Sequence, residues 1–508
     1  MYTTSRYKKG IDWPIILMVL MIMAFGVVNI YAVDPEYGIK QIVRIGLGFG
    51  MIVGFAFITS FTRNFFDIYA FVFYIVGILA LVGVLFFGRE INGAKAWYSI
   101  GGVGVQPVEL MKIATGLMIA HVLNIPGNDL KRPEVLLTCL GLIAAPAVLI
   151  LLQPDVGSLF VFGAFLLAMY REGMSPVVII IPLILAVVFL MSVLWDAALF
   201  MIVFGIFVWF VISFFLIIFG RRTISFQDTY SALGIYIGLG IFFLINLLFS
   251  SLISSRLSMT MLFEYKSEIL IGLTSAAMAG ISFLTALGIY IANLDNYSSF
   301  DKFSHLKASN SRQVIFSASI IMIVMSIVFS LSYNANDLLE KLPKHQRERI
   351  MVLFEGEAKY RDTSGYNLLY SKTAIGSGRL MGTGWNKGTI TDGRFVPEQW
   401  TDYIFCTVGE EWGFVGSSIL VILYSILIMR LYYIAEQQRN VFARFFIYST
   451  ASILLLHFVI NIGMVLGIFP TVGIPLPFLS YGGSSLWGFM IMIFICLKLN
   501  YEKEQSFI

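Results

Sequence analysis

The sequence predicts an all-α polytopic membrane protein, a helical bundle with one large loop on the extracytoplasmic side. Composition is the first observation: 58% of the 508 residues are hydrophobic and only 13% are charged, whereas soluble domains carry about 25% charged residues. The second is the recurrence of apolar runs of about 20 residues, the length that crosses a bilayer. The third is a polar, glycine-rich island at residues 334–402, with apolar segments on both sides.

Composition also excludes several functional classes. The net charge is +4 and no strongly basic block is present, so no nucleic-acid partner is predicted. Cysteines and histidines are scattered, so we expect neither a disulfide framework nor a protein-built zinc site. These residues are Cys139, Cys406, Cys496, His121, His305, His345 and His457. The basic N-terminus precedes an apolar run without a small-residue cleavage pattern, which indicates a retained first span.

About fourteen helices of spanning length are predicted. They begin near Trp13, Gln41, Phe65, Val108, Val135, Gly157, Pro176, Ala197, Ser231, Leu270, Val314, Tyr403, Phe442 and Ser484. With the N-terminus in the cytoplasm, alternate spans place the Lys and Arg of the short loops inside, as the positive-inside rule requires. These residues include Arg63, Arg171, Arg221, Lys302, Arg430, Arg444 and Lys498. The polar island then falls outside.

Two other outer segments are rich in glycine. Residues 88–106 carry Trp97, which is either an interfacial anchor or a ring that stacks on a sugar. Residues 467–485, with the sequence GIFPTVGIPLPFLSYGGSS, interrupt an apolar stretch at membrane depth. Irregular backbone at that depth must be buried in protein or line a water-filled cavity.

Charged residues at the ends of spans are the next candidates. Glu109 and Lys112 are three residues apart and predict an ion pair on one helix face. Charges within spans are usually functional, and Lys112 could also meet an anionic lipid head group, although a structural pair is the alternative. Asp155, in the sequence QPDVG, is expected to be a helix cap or turn residue.

The polar island places carboxylates and cations at the outer mouth of the bundle. Asp362 lies before Ser371 and Lys372, and Glu398 and Asp402 lead into the next span. Such a set suits a substrate with a hydroxyl to be deprotonated and a phosphate leaving group to be neutralised. Glu355 and Glu357, just upstream, are the other candidate carboxylates.

Several motifs together resemble the SEDS family of bacterial cell-wall polymerases. They are GAKAWYSIGGVGVQPVELMKIA, LLQPDVG, SKTAIGSGRLMGTGWNKGT, PEQWTDYIF, EEWGFVG and GIPLPFLSYGGSS. The last looks more like the elongation (RodA) branch than the division (FtsW) branch. The resemblance covers roughly residues 13–171 and 347–498.

The resemblance implies a peptidoglycan glycosyltransferase that joins the disaccharide of lipid II to a growing glycan strand during cell-wall elongation and shape maintenance. It implies a class B penicillin-binding protein as partner, membrane lipids as surroundings, and a bacterial plasma membrane with the large loop on the periplasmic or external face. Asp362 matches the family's essential Asp. The chain departs from the family pattern at Thr363, Tyr370, Arg379 and Thr383.

The predicted organisation adds about four spans to a SEDS-like bundle. Its parts are residues 1–175 (N-terminal membrane helices), 176–313 (inserted helices), 314–333 (a helix leading into the loop), 334–401 (the catalytic loop) and 402–508 (C-terminal membrane helices). We interpret the insertion as a lateral scaffold or a partner-docking face.

Asp362 is predicted to be the general base on the acceptor hydroxyl, with inversion at the anomeric carbon. The predicted substrate-binding residues are Trp97, Glu109, Lys112, Arg349, Ser371, Lys372, Glu398, Asp402 and Ser480. Lys112, Lys372 and Arg349 would neutralise the pyrophosphate. A divalent cation, Mg or Mn, could share that role, although the sequence has no ligand cluster for it. A flippase or transporter of the lipid-linked precursor is the alternative function, and a non-catalytic scaffold is a third.

Overall fold

The computed structural model describes residues 12–62, 64–91, 94–100, 103–194, 241, 339–341 and 344–505. The chain divides into two compact units. One combines Met1–Ile179 with Lys344–Ile508, and the other is Ile180–Pro343. All the candidate site residues lie in the first unit. The spans predicted near Ala197, Ser231, Leu270 and Val314 fall outside the described residues, as does the predicted helix at 314–333.

The N-terminal part of the first unit is helical apart from one small sheet. Its helices and strands are α1 (Trp13–Val33), α2 (Pro35–Ser60), α3 (Phe65–Ile68), α4 (Ala70–Phe87), β1 (Arg89–Ile91), β2 (Ala94–Ile100), β3 (Val103–Val105), α5 (Pro107–Asn124), α6 (Pro133–Leu152), α7 (Val156–Phe162) and α8 (Ala164–Arg171). A further helix is α9 (Val177–Leu194).

The C-terminal part holds the large loop and three long helices. Its helices are α10 (Lys344–Glu355), α11 (Tyr366–Ser377), α12 (Thr389–Asp392), α13 (Ile404–Glu436), α14 (Val441–Val465) and α15 (Ser484–Gln505). The polar island is therefore largely folded, since α10, α11 and α12 lie within it.

Seven helices in the described part of the chain are long and apolar enough to span a membrane. They are α1, α2, α4, α6, α13, α14 and α15. The span predicted near Gly157 is instead two short helices, because the chain breaks at Gly163 between α7 and α8. Helix α2 begins at Pro35 and not near Gln41, since the Asp34 side chain caps it by accepting from the Glu36 N–H at 2.9 Å.

The glycine-rich segment before α5 forms three antiparallel strands in the order β1-β2-β3, which the sequence analysis did not predict. Trp97 pairs with Arg89, and Tyr98 pairs with Val105. The Tyr98 hydroxyl donates to the carbonyl of Ala80 on α4 at 2.9 Å, which ties the sheet to the bundle. The sheet thereby leads directly into the N-terminus of α5.

Helix α5 lies at the centre of the bundle, where it packs against α4, α6, α14 and α15. Close approach to α14 occurs at Gly116, where an added Cβ would lie 3.5 Å from the ring of Phe446. At the end of the bundle predicted to be cytoplasmic, Arg444 pairs with Glu172 at 2.7 Å and Arg171 pairs with Glu436. Arg171 and Arg444, two of the basic residues predicted to face the cytoplasm, therefore lie at the same end of the bundle.

Candidate active site

Two buried charged residues lie on α5. Lys112 and Glu109 are 2% and 3% exposed, and the Lys112 Nζ lies 2.8 Å from the Glu109 Oε2. The contact is an ion pair and not an aligned hydrogen bond. The pair predicted from the spacing is confirmed, since residues three apart share a helix face.

Lys112 has two further neighbours inside the bundle. Its Nζ lies 3.1 Å from the Nε2 of His457 on α14 and 5.1 Å from the centre of the Phe489 ring on α15. The His457 Nδ1 lies 3.0 Å from the carbonyl oxygen of Pro475. A carbonyl can only accept, so Nδ1 carries the proton and Nε2 accepts from Lys112. This buried network (Glu109, Lys112, His457 and the Pro475 carbonyl) links α5 to the 467–485 segment.

The 467–485 segment is also hydrogen-bonded to the residues just before α13. Three consecutive carbonyls each accept one hydrogen bond: Trp400 from the Tyr481 N–H at 2.8 Å, Thr401 from the Ser480 hydroxyl at 2.6 Å, and Asp402 from the Asn461 amide at 2.8 Å. We call this arrangement the carbonyl clamp. Because buried carbonyls must be satisfied, the clamp fixes the backbone that carries the Asp402 carboxyl.

Asn461 joins two segments of the site. It is fully buried on α14, and its amide also donates to the Ile474 carbonyl at 2.6 Å. One side chain therefore bonds the backbone before α13 and the backbone of the 467–485 segment. Asn461 was missed in the sequence analysis, although His457 and Asn461 are four residues apart in an apolar run. Polar residues within spans are functional candidates by default.

Asp402 lies at the mouth of the bundle and is partly accessible. Burial raises the pKa of its carboxyl to about 7, and the negative charges of Glu398 and Asp155 act in the same direction. The positive charge of Arg349, on α10, acts in the opposite direction. Asp402, Glu398 and Arg349, all singled out from the sequence, thus come together with Asp155.

Asp155 is the helix cap that its sequence context predicts. Its carboxylate accepts from the Ser158 N–H at 3.0 Å at the start of α7. It also accepts from the Gln106 amide at 2.8 Å. The residue before α5 is thereby held beside the residue before α7, so both helices present their N-termini near the mouth.

Two glycines of the 467–485 segment leave room for charged groups. Gly467 and Gly473 have φ of 77° and 71°, a region that disfavours side chains. A Cβ on Gly473 would lie 3.2 Å from the Asp402 Oδ2, and one on Gly467 would lie 2.9 Å from the Lys372 Nζ. The segment therefore forms a floor under one carboxyl and one ammonium group.

Asp362 lies on the turn between α10 and α11. It is exposed, and no hydrogen bond or ion pair of its carboxylate occurs among the described residues. The structure does not bring it into contact with Asp402 or Lys372. Asp362 therefore shares the large loop with the mouth residues without a direct bond to them.

The neighbouring carboxylates are already paired. Glu355 lies 2.8 Å from the Lys359 Nζ, and Glu357 lies 3.3 Å from the Lys372 Nζ. The pKa of Glu357 is lowered, first by a hydrogen bond from its own N–H and then by the charge of Lys372. Both carboxylates are thus engaged with lysines, whereas Asp362 has no such contact among the described residues.

The remaining predicted residues occupy separate places. Ser371 is fully buried and donates to the Val465 carbonyl at 3.1 Å, so it ties α11 to α14. Ser480 is buried within the carbonyl clamp. Trp97 lies in β2 and packs over Gly104, with an added Cβ there 3.3 Å from its ring. Glu398 is exposed.

No group of three or more His, Cys, Asp or Glu side chains that could hold a metal ion occurs in the described ranges. The divalent cation therefore stays a prediction.

The family model for cell cycle proteins of the FtsW, RodA and SpoVE type matches residues 12–204 and 300–505. The chain belongs to this family. With seven candidate spans among the residues that the structure describes, it is a multi-pass membrane protein.

Two relatives carry enzyme names. The RodA of Treponema pallidum, named a peptidoglycan glycosyltransferase, is 26% identical over 98% of this chain and 99% of its own length. The peptidoglycan glycosyltransferase MrdB of Escherichia coli K12 is 42% identical over 161 residues, which are 32% of this chain and 43% of MrdB.

One solved structure supports the fold. It is a chain of a peptidoglycan synthase complex described as coordinating polymerization and crosslinking, with a TM-score of 0.56 and 23% identity. The match covers 98% of this chain and 99% of that chain. The predicted all-α polytopic fold is thereby confirmed, with the small sheet as an addition.

Proposed function

We propose that this protein is a peptidoglycan glycosyltransferase that polymerises lipid II into glycan strands during cell-wall elongation. Its family and the names of its relatives support this activity. The observation that carries the proposal is the mouth of the bundle. There Asp402 and Lys372 lie against the floor formed by the 467–485 segment, and the charge of Arg349 acts on Asp402. The turn that carries Asp362 joins the helices of both cations.

Asp362 is the general base. Its carboxylate takes the proton from the acceptor sugar hydroxyl, whose oxygen forms the new bond to the anomeric carbon of the donor. The bond from that carbon to the pyrophosphate oxygen breaks on the opposite face, so the configuration inverts. Support comes from its exposed carboxylate, which has no bonding partner within the described ranges, whereas Glu355 and Glu357 are engaged with lysines. General-base catalysis typically contributes about a hundredfold to ten-thousandfold.

Arg349 and Lys372 stabilise the negative charge that develops on the departing pyrophosphate. Lys372 is 38% exposed and, in the described part of the chain, pairs with Glu357, so it can reach a phosphate oxygen by exchanging partners. Lys112 and Glu109 act more deeply, because the Lys112 ammonium is enclosed by Glu109, His457 and Phe489. We propose that Lys112 and Glu109 hold the 467–485 segment in position through His457.

The assignment places the large loop on the periplasmic or external face of a bacterial plasma membrane. A class B penicillin-binding protein that crosslinks the product is the proposed partner. The transporter alternative requires its main charges near the bilayer midplane. Lys112 lies only five residues after the first residue of α5, about 8 Å along the helix. This position near the start of α5 favours a site at the outer mouth of the bundle over one at the bilayer midplane.

The decisive experiment is polymerisation of purified lipid II by the purified chain, comparing wild type with Asp362→Asn. We expect the rate to fall by about a hundredfold or more. Asp392→Asn is the matched control, because it removes another exposed carboxylate of the same loop. Wild-type activity of Asp362→Asn would exclude Asp362 as the base, and an inactive wild type that flips lipid II would favour the transporter.

Topology is tested separately by cysteine labelling in intact cells. The native cysteines are buried, so Thr389→Cys offers a single accessible thiol. We expect an impermeant maleimide to label Thr389→Cys from outside and to label Lys131→Cys only after permeabilisation. The reverse pattern would place the loop in the cytoplasm.

A further inference from the structure

Residues 379–387 of the large loop expose apolar side chains in an otherwise polar region. We call them the apolar segment. The exposed fractions are 66% for Leu380, 77% for Met381 and 46% for Trp385. Exposed apolar groups that form a contiguous patch indicate a contact surface, whereas single ones do not. Here they adjoin Phe414 of α13, which is 66% exposed.

The backbone of the apolar segment is bonded to α13. That helix breaks at Gly413, where φ is 63° and ψ is −161°. The break frees two N–H groups, so Phe414 donates to the Arg379 carbonyl at 2.8 Å and Val415 donates to the Leu380 carbonyl at 3.0 Å. Irregular backbone can lie at membrane depth only where its polar groups are satisfied within the protein.

The bonds of the apolar segment to α13 place it at membrane depth. The opposite end of the span is marked by Arg430, which pairs with Asp12 at 2.8 Å just before α1. Counting back about 20 residues from Arg430, the length that crosses the hydrocarbon, reaches Glu411. Leu380 is bonded to Val415, which lies on the membrane side of that point.

Helix α1 gives the same depth independently. The Trp385 Nε1 donates to the Val28 carbonyl at 3.2 Å. Val28 precedes the last residue of α1, Val33, by five positions, or about 7.5 Å along the axis. The Trp385 ring also stacks on Tyr31, with centroids 6.4 Å apart. Paired aromatic rings near the end of a span are typical of the membrane interface.

The flanking charges complete the pattern. Arg379 and Lys387 are exposed on either side of the apolar residues. Arg379 adopts φ of 49°, a backbone region that disfavours side chains. Cations beside apolar groups of this kind favour contact with lipid phosphates.

We propose that the apolar segment is seated in the membrane leaflet on the side of the large loop, with lipid as its partner. Leu380 and Met381 contact acyl chains, Trp385 and Tyr31 lie at head-group level, and Arg379 and Lys387 meet phosphates. The large loop is thus anchored to the bilayer beside α1 and α13, independently of whether the chain has the proposed activity.

The test uses the full chain in lipid nanodiscs. Met381→Cys carries an environment-sensitive NBD label, and Lys359→Cys, on the exposed turn after α10, is the matched control. We expect emission from residue 381 at shorter wavelength than from residue 359. We also expect it to lose intensity with doxyl-labelled lipid, while the control does not.

Water-like emission from residue 381 without quenching by lipid would overturn the proposal. A label that is water-exposed in nanodiscs but shielded in native membranes would instead assign this face to a protein partner. Neither readout requires lipid II, so the result is distinguishable from a failure of the proposed activity.

Discussion

The buried network around Lys112 and the mouth around Asp402 contain similar residue types in opposite states. Lys112 is 2% exposed and has Glu109, His457 and the Phe489 ring around its ammonium group. At the mouth, the charge of Arg349 acts to lower the pKa of Asp402 although no salt bridge joins the two side chains, and Lys372 is 38% exposed.

The difference distinguishes residues that support the structure from residues that can contact the substrate. A buried ion must be fully paired because desolvation is costly, so its partners leave no position for a substrate. Groups at the mouth are incompletely paired, and an incoming phosphate or hydroxyl can complete their bonding. Both regions are bonded to the 467–485 segment. His457 donates to the Pro475 carbonyl, and Asn461 donates to the Ile474 carbonyl.

Lys112→Met is expected to give the largest effect on stability. It leaves the Glu109 carboxylate buried without its cation, and breaking such a pair costs about 3–5 kcal/mol. Thermal unfolding in detergent should show this loss, whereas Glu109→Leu with Lys112→Met should recover most of it. An active, stable double variant would limit the pair to a structural role. A folded but inactive one would indicate support of the reaction.

Asn461→Leu tests the link between the two regions. Two carbonyls, of Asp402 and Ile474, lose a buried donor, which costs about 1–3 kcal/mol for each group left unsatisfied. We expect lipid II polymerisation to fall well beyond the loss of folded protein. Asn440→Ala removes the cap of the same helix and about 1 kcal/mol, far along α14 from the mouth. Equal activity per folded molecule in both variants would refute the link.

Gly473→Ala is expected to lower the polymerisation rate less than Asn461→Leu does. Its Cβ would meet the Asp402 Oδ2 at 3.2 Å, and the positive φ adds about 1–2 kcal/mol of strain. Gly127→Ala carries the same strain at φ of 89° with open space around the added atom. The difference in polymerisation rate between the two variants isolates the contact with Asp402. No difference would show that the position of this carboxyl is unimportant.

The pH dependence of stability tests the Asp402 carboxyl itself. The pKa of Asp402 is about 7 in the folded protein and 3.8 for an unperturbed carboxyl. The folded state therefore binds the proton more tightly, and this group's contribution to stability is lost as pH rises from about 4 to about 7. Asp402→Asn should raise the unfolding temperature relative to wild type more at pH 8 than at pH 5. A pH-independent difference would contradict the raised pKa.

Local patterns allowed part of this structure to be predicted. The ion pair of Glu109 and Lys112 follows from helix periodicity, and the cap at Asp155 follows from its neighbours, because both depend on nearby residues. The strands before α5 were missed. Alternation in AKAWYSI was the available signal, but the surrounding glycines masked it.

Contacts between distant segments could not be derived in this way. The carbonyl clamp joins residues about 60 to 80 positions apart through backbone groups, which carry no sequence signature. Ser480 was selected as a substrate-binding residue, yet its hydroxyl is engaged with the Thr401 carbonyl and the Leu476 N–H. The position of Asp362 relative to the mouth likewise depends on the conformation of a turn.

The contact between Lys112 and His457 joins residues 345 positions apart. Chains grow at about 5–20 residues per second, so His457 is synthesised roughly 20 to 70 s after Lys112. During that interval α5 must enter the membrane with its ammonium group lacking the histidine. Glu109 is synthesised three residues earlier and is available at once. The local pair therefore neutralises the charge during insertion, before α14 arrives to enclose it.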